Sequence, residues 1–256
     1  MTHGNNKNGI EAGLKIKVGL TISQRTNFGI IHVVTASCLA KKAQDLENQY
    51  KVPKVSALIL QEHQAFVISA IVISVAFLEA TINDLFVDFA DGEWKHNKSI
   101  KANLNENQIN LTAKMWKELE LQKKAGLDIL SKYDLALLLF GKNTFKGVEP
   151  YQSAILAKQL RNSLVHAMPS TSTTYSTIED FAIEPPEFEK KLKGKFIENP
   201  LTGPGNAFFP DKILSADCAR WAFHSCLSFS DKFFKELGIK PPYDHVRKNF
   251  IPFKSS

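Results

Sequence analysis

One run of residues restricts this chain's fold more than any other. From Ser56 to roughly Ala90 the residues are overwhelmingly apolar, and between His63 and Glu79 not one carries a charge. That core of about 15 residues falls short of the roughly 18 to 20 needed to cross a bilayer. Ser69 and Ser74 interrupt it, and Glu79, Asn83, Asp84 and Asp88 extend the same helical pattern with polar groups. A helix that is apolar on nearly every side is the buried centre of a helical bundle. The expectation is therefore an all-α domain built around this segment, without a membrane partner.

The flanking segments supply the other helices. From His32 onward Leu39, Ala43, Leu46 and Tyr50 fall in line at helical spacing until Val52-Pro53 stops them. Asp91-Gly92 closes the long apolar helix, and Glu93 to Asn110 reads as a linker rich in Asn and Lys. Leu111 to Lys124 and Leu127 to Phe140 are the next helices, separated by Gly126, the second ending at Gly141-Lys142-Asn143. Pro150 sits where a first helical residue is favoured and opens a helix to about Ala167, with Pro169 beyond it. A polar loop, Ser170 to Thr174, precedes Pro185-Pro186-Glu187, which starts a short charged helix to Lys193. Asn199 to Pro210 is irregular, with Pro200, Gly203, Pro204, Gly205 and Pro210. The last helix, Leu214 to Leu237, aligns Leu214, Cys218, Trp221, Ser225, Phe229, Phe233 and Leu237 on one face and ends at Gly238 and Pro241.

Strand periodicity occurs in one place. Ile16, Val18, Leu20 and Ile22 alternate with Lys15, Lys17, Gly19 and Thr21, and Phe28 to Val34 is the nearest partner for a small N-terminal β-hairpin. The first 14 residues, with Asn5, Asn6 and Asn8, lack the basic-then-apolar layout of a signal peptide and read as a tail. The remainder, 15–256, is expected to be one domain of five to six helices, with an irregular insert near 170–212.

Hydrophobic residues at 44% and charged residues at 23% are ordinary for a globular protein. Thirty-two basic against 26 acidic residues give a net charge of +6, which favours an anionic partner such as RNA without requiring one. Cys38, Cys218 and Cys226 are an odd number with no CxxC pair, so the expectation is reduced thiols in a cytoplasmic protein, with no metal and no cofactor.

Chemistry is concentrated in Leu160-Arg161-Asn162-Ser163-Leu164-Val165-His166. Arginine holds its charge at any physiological pH and presents a planar donor fork to phosphoryl oxygens; histidine exchanges protons near neutrality. These are the groups a phosphodiester cleavage needs. On an ideal helix Asn162 and His166 share a face, whereas Arg161 and His166 diverge by roughly 140°. A single His is thin for two proton transfers, so two copies of the motif meeting across a dimer axis would complete a site.

The seven-residue pattern, following a long helix that contains Phe77-Leu78-Glu79-Ala80-Thr81-Ile82-Asn83-Asp84-Leu85-Phe86, resembles the HEPN superfamily. That family's motif is Arg, four to six residues, then His, often with a polar residue after the Arg. The resemblance covers about Ser56 to Ala167 and extends to the helix at 214–237. It implies an all-α bundle, a homodimer that brings two motifs together and, in active members, metal-independent RNA cleavage in toxin–antitoxin and antiviral systems, hence an antitoxin partner in some settings. Carried over by position, Arg161 and His166 are catalytic and Asn162 is the accompanying polar residue. Glu79 and Asn83 are added here as polar support from the long helix. Other members are non-catalytic RNA-binding or protein-interaction modules, which is the alternative function.

The remaining distinctive residues read as structural. His63, His96 and His224 have no partner at ligand spacing, and Trp94, Trp116 and Trp221 are expected in the core. Lys190-Lys191-Leu192-Lys193-Gly194-Lys195 is a solvated basic face able to meet a phosphate backbone.

Overall fold

The computed structural model describes residues 25–50, 55–118, 127–166, 187–203 and 205–252. Among these the chain forms eight α-helices: α1 (Phe28–Tyr50), α2 (Ala57–Asp91), α3 (Lys98–Asn103), α4 (Glu106–Glu118), α5 (Ile129–Leu139), α6 (Tyr151–Val165), α7 (Glu187–Leu192) and α8 (Ala216–Leu237). Short 3-10 turns follow α2 and α8. The protein is all-α, and no strand occurs among the described residues.

The apolar run is α2, 35 residues long, or about 52 Å at 1.5 Å per residue. Ser56 caps it by accepting a hydrogen bond from the Ile59 amide, and Gly92 ends it in the left-handed conformation at φ 81°. By length and composition alone α2 could cross a membrane. In the fold, α1, α4, α6 and α8 all pack along it. Val67, Ala70, Ile71, Val75, Phe77, Leu78, Ile82, Phe86 and Phe89 are consequently buried.

α1 presents Gly29, Val33, Ala36, Ala40 and Ala43 to this core, small side chains at helical spacing that let the two backbones approach. Here the hairpin expectation is corrected. Phe28 to Val34 forms the first two turns of α1, while Lys15 to Ile22 lies outside the described residues. Asn27 explains the outcome: its Oδ1 accepts the Ile30 amide at 2.9 Å and starts a helix where the apolar run alone resembles a strand. The linker expected over Glu93 to Asn110 is corrected for the same reason. Asn97 Oδ1 accepts from the Ser99 and Ile100 amides and Asn105 Oδ1 from those of Asn107 and Gln108. Asparagines that look like loop residues are the caps of α3 and α4.

The other helices close the core. On α4, Trp116 stacks on Phe86 with ring centroids 4.9 Å apart. On α5, the buried Tyr133 meets Phe229 and Phe233 of α8 edge-on and donates its hydroxyl to the Leu78 carbonyl of α2 at 2.8 Å. α8 begins at Ser215, whose Oγ accepts the Cys218 amide. It buries Cys218, Phe229, Phe233 and Leu237 and stops at Gly238, φ 71°. At its start the Glu47 carboxylate of α1 accepts the Ala216 amide at 2.7 Å, with Nε2 of the fully buried His63 2.9 Å from the same oxygen. One side chain thus joins α1, α2 and the positive end of the α8 dipole. After α8 the chain returns to α1, where the Ile251 amide donates to Ser37 Oγ at 2.6 Å.

Within the expected insert, Glu187–Leu192 is the short charged helix read from the sequence, and Asn199 to Pro210 contains turns and bends. The tail at 1–14, the loop after Pro169 and the C-terminal end of the helix expected at Leu111 to Lys124 lie outside the described residues. Cys218 and Cys226 are buried thiols, whereas Cys38 is exposed on α1.

Candidate functional site

The seven-residue motif ends α6. Pro150 stands one position before the helix, as its cap, and Tyr151, Ala154, Leu156, Ala157 and Leu160 form the face packed into the bundle. The helix stays regular through Val165, and His166 caps it at φ −106°, ψ 30°, its amide donating to the Asn162 carbonyl at 2.9 Å. Nothing unwinds between Arg161 and His166. The offset of roughly 140° set by helical geometry is therefore retained: Arg161 is half-buried at the edge of the packed face, and Asn162 and His166 are exposed on the other side. Within one chain the guanidinium and the imidazole leave the helix in different directions. Arg161 has no ion pair or side-chain hydrogen bond among the described residues, and neither Glu79 nor Asp84 acts as its counter-ion. The Asp84 carboxylate accepts the Gly29 amide at 3.3 Å, and burial raises its pKa from the ordinary carboxylate value.

Glu79 and Asn83 are committed elsewhere. One turn apart on α2, they receive the ammonium of Lys132, which lies 3.0 Å from Asn83 Oδ1 and 3.5 Å from Glu79 Oε1. Lys132 is only 5% exposed, so these oxygens are what makes a buried cation on α5 tolerable. The next residues extend the cluster. Asp134 is also buried and accepts the Tyr151 hydroxyl at 3.2 Å, with the Lys146 ammonium 3.6 Å away. Burial and this carboxylate push the Tyr151 phenol up to about 12.

The direction of α6 separates this cluster from the motif. Asp134 meets Tyr151 near the start of α6, while Asp128, at the start of α5, pairs with Lys158 further along it. The two helices are therefore antiparallel. Arg161 lies ten residues beyond Tyr151, about 15 Å along the axis, and His166 further still. The structure brings Asn162 and His166 together, joins Glu79 and Asn83 through Lys132, and leaves Arg161 apart from both pairs.

Lys132 is the residue that sequence reasoning missed. Its signal was available: one lysine in the apolar stretch Ile129 to Leu139, at a position where Ile129, Lys132, Tyr133 and Ala136 share the buried face. His63, read as ordinary, is also fixed, by Glu47. His224 titrates low, at about 4, chiefly because burial disfavours its charged form. Trp94 and Trp116 lie in the core as expected, and Trp221 is half-buried beside Phe196.

No family model, curated protein or solved structure matches this chain.

Proposed function

We propose that the protein is a HEPN-type, metal-independent endoribonuclease of the cytoplasm, active as a homodimer and used as a toxin or antiviral effector. The observation that carries this reading is the end of α6: an arginine without a counter-ion among the described residues and an exposed histidine, five residues apart, on a helix packed against the long central helix of an all-α bundle. A structural arginine so close to a core would be expected to hold a carboxylate. Arg161 holds none among the described residues, and a guanidinium so placed suits a phosphate.

Two copies of the helix end, related by a two-fold axis, supply what one lacks. In the cleavage, one imidazole takes the 2′-OH proton as O2′ bonds to phosphorus, the P–O5′ bond breaks, and a second imidazole protonates O5′. The products are a 2′,3′-cyclic phosphate and a 5′-hydroxyl. Arg161 from each copy stabilises the charge on the non-bridging oxygens. The divergence of Arg161 from His166 within one subunit favours the second reading, a non-catalytic RNA-binding or protein-interaction module.

The two readings separate when purified protein is incubated with RNA in EDTA beside Arg161→Ala and His166→Ala. Each substitution is expected to lower cleavage by about 10²-fold or more, with cyclic phosphate ends on the products of the unmutated protein. No cleavage by the unmutated dimer, or unchanged cleavage by both variants, overturns the nuclease reading.

A further inference from the structure

Beside the motif, α6 and α7 enclose a groove of about 400 Å³. Its α6 wall consists of Gln152, Ile155, Leu156 and Gln159 together with Glu149 just before the helix, whose carboxylate accepts the Ser153 amide at 3.3 Å, and the facing wall carries Lys191 and Lys195. This volume is within the range of small-ligand sites. The lining is divided by chemistry. Ile155 and Leu156 form an apolar strip, two carboxamides offer donors and acceptors, with Gln152 Nε2 already donating to the Gly147 carbonyl at 2.8 Å, and two ammonium groups stand opposite against the single carboxylate of Glu149.

The basic run explains how both lysines reach the groove. Leu192 is fully buried and anchors α7 against the bundle. Gly194 then takes φ 78°, and the Lys195 amide donates back to the Leu192 carbonyl at 3.2 Å. This turn, which the left-handed conformation permits, brings Lys195 to the wall that already holds Lys191. Lys193 is engaged elsewhere, with its ammonium 5.4 Å from the centre of the Phe208 ring. Lys191 pairs with Glu187 at 2.9 Å, but both side chains are largely exposed, so solvent weakens the pair and a phosphate can replace it.

The groove is also aligned with the motif. Gln152, Gln159 and His166 are spaced seven apart, so each is rotated only about 20° from the last. All three are exposed. They form a stripe along α6 that leaves the groove at Gln159 and reaches His166 about 10 Å later.

We propose that the α6–α7 groove seats one nucleotide of a single-stranded RNA, with Lys191 and Lys195 on its phosphate and Gln152 and Gln159 at its base edge, and that the strand continues along α6 to His166. The choice of RNA rests on the ribonuclease reading; the seat itself rests on the groove. Ile155 and Leu156 cover one face of the base. Two ammonium groups against one carboxylate leave the groove with a positive excess that favours an anionic ligand, and a single strand is required because pairing occupies the Watson–Crick edge of a base and buries its faces.

The test is fluorescence anisotropy with a short labelled single-stranded RNA, in the His166→Ala background so that the probe stays intact. Lys191→Glu/Lys195→Glu is expected to weaken binding more than tenfold. It should also flatten the dependence of log affinity on log salt by about 0.7, the contribution of one neutralised phosphate on a single strand. Lys41→Glu/Lys42→Glu, the same charge change on α1, is expected to stay within about twofold, and Gln159→Ala to lose affinity without changing the salt slope. Equal binding by the Lys191/Lys195 variant, or an equal loss in the α1 control, overturns the seat. Equal affinity for single-stranded DNA overturns the assignment to RNA. Groove-dependent binding without cleavage by the unmutated protein would remove the nuclease and leave the seat; cleavage with binding indifferent to Lys191 and Lys195 would do the reverse. Circular dichroism of each variant confirms that the helices are intact.

Discussion

Removing Asn83 should destabilise the fold, and removing the lysine it serves should not. Lys132 is 5% exposed, and its ammonium has Asn83 Oδ1 at 3.0 Å and Glu79 Oε1 at 3.5 Å. Glu79 is 44% exposed, so its longer contact is shared with water and compensates weakly. Asn83→Ala therefore leaves a buried cation short of its main acceptor. A hydrogen bond to a charged group contributes about 1.5 to 3 kcal/mol, and with Glu79 still present the loss should be about 2 kcal/mol. Lys132→Met keeps the length of the stem and removes the desolvated charge, an exchange that is often near neutral or stabilising. In the Lys132→Met background, Asn83→Ala should cost about 0.5 kcal/mol or less, because no cation remains to be satisfied. Urea unfolding of the four proteins gives the coupling, expected at about 1.5 kcal/mol. Asn83→Ala alone should lower the melting temperature by about 4 to 8 °C for a chain of this size. Additive effects, or Lys132→Met as damaging as Asn83→Ala, would refute the assignment of Asn83 to Lys132. RNA cleavage by Asn83→Ala, measured well below its melting point, should match that of the unmutated protein.

Two further outcomes check the packing and electrostatics around α2. A Cβ added at Gly29 would lie 2.7 Å from Thr81 Oγ1 and 3.3 Å from Asp84 Oδ2. Overpacking of about 1 to 3 kcal/mol outweighs the helix propensity gained, at most about 1 kcal/mol, so Gly29→Ala should lose about 1 to 2 kcal/mol in urea; a gain would mean that α1 and α2 are further apart. Asp88 pairs with Arg25 at 3.0 Å, yet burial lifts its carboxyl to about 6. The folded state therefore holds this proton more tightly than the unfolded chain, so the stabilisation it provides is complete below about pH 4 and lost as pH rises through about 6. Melting temperatures from pH 4 to 7.5, compared between the protein and Asp88→Asn, should differ by an amount that changes across that window and is constant above it.

Much of the fold was legible because local rules decide it. The uncharged run from Gln64 to Leu78, the stop at Gly92 and the stripe from Cys218 to Leu237 follow from helical spacing and from the ease with which glycine adopts a left-handed conformation. Local rules failed where a cap competed with a pattern. Phe28 to Val34 is apolar enough for a strand, and only the Asn27 side chain bonding to the Ile30 amide marks a helix start. Asn97 and Asn105 suit a loop as well as a cap until their acceptors are seen to be used. At the candidate site, the divergence of Arg161 and His166 could be read from spacing alone because α6 remains helical to Val165.

By itself, then, the sequence determined most of the helices, the burial of the central one, and that Asn162 and His166 share a side that Arg161 does not. Only the tertiary structure decided the partners. Lys132 is 53 residues from Glu79 and 49 from Asn83, and Glu47 is 169 from the Ala216 amide it receives. Helical period constrains neighbours within a turn or two and carries no information about which helix lies alongside or in which direction it runs. That direction, with α6 antiparallel to α5, puts Arg161 about 15 Å along α6 from the Tyr151–Asp134 contact. The packing of α7 against α6 places Lys191 and Lys195 across a groove from Gln159.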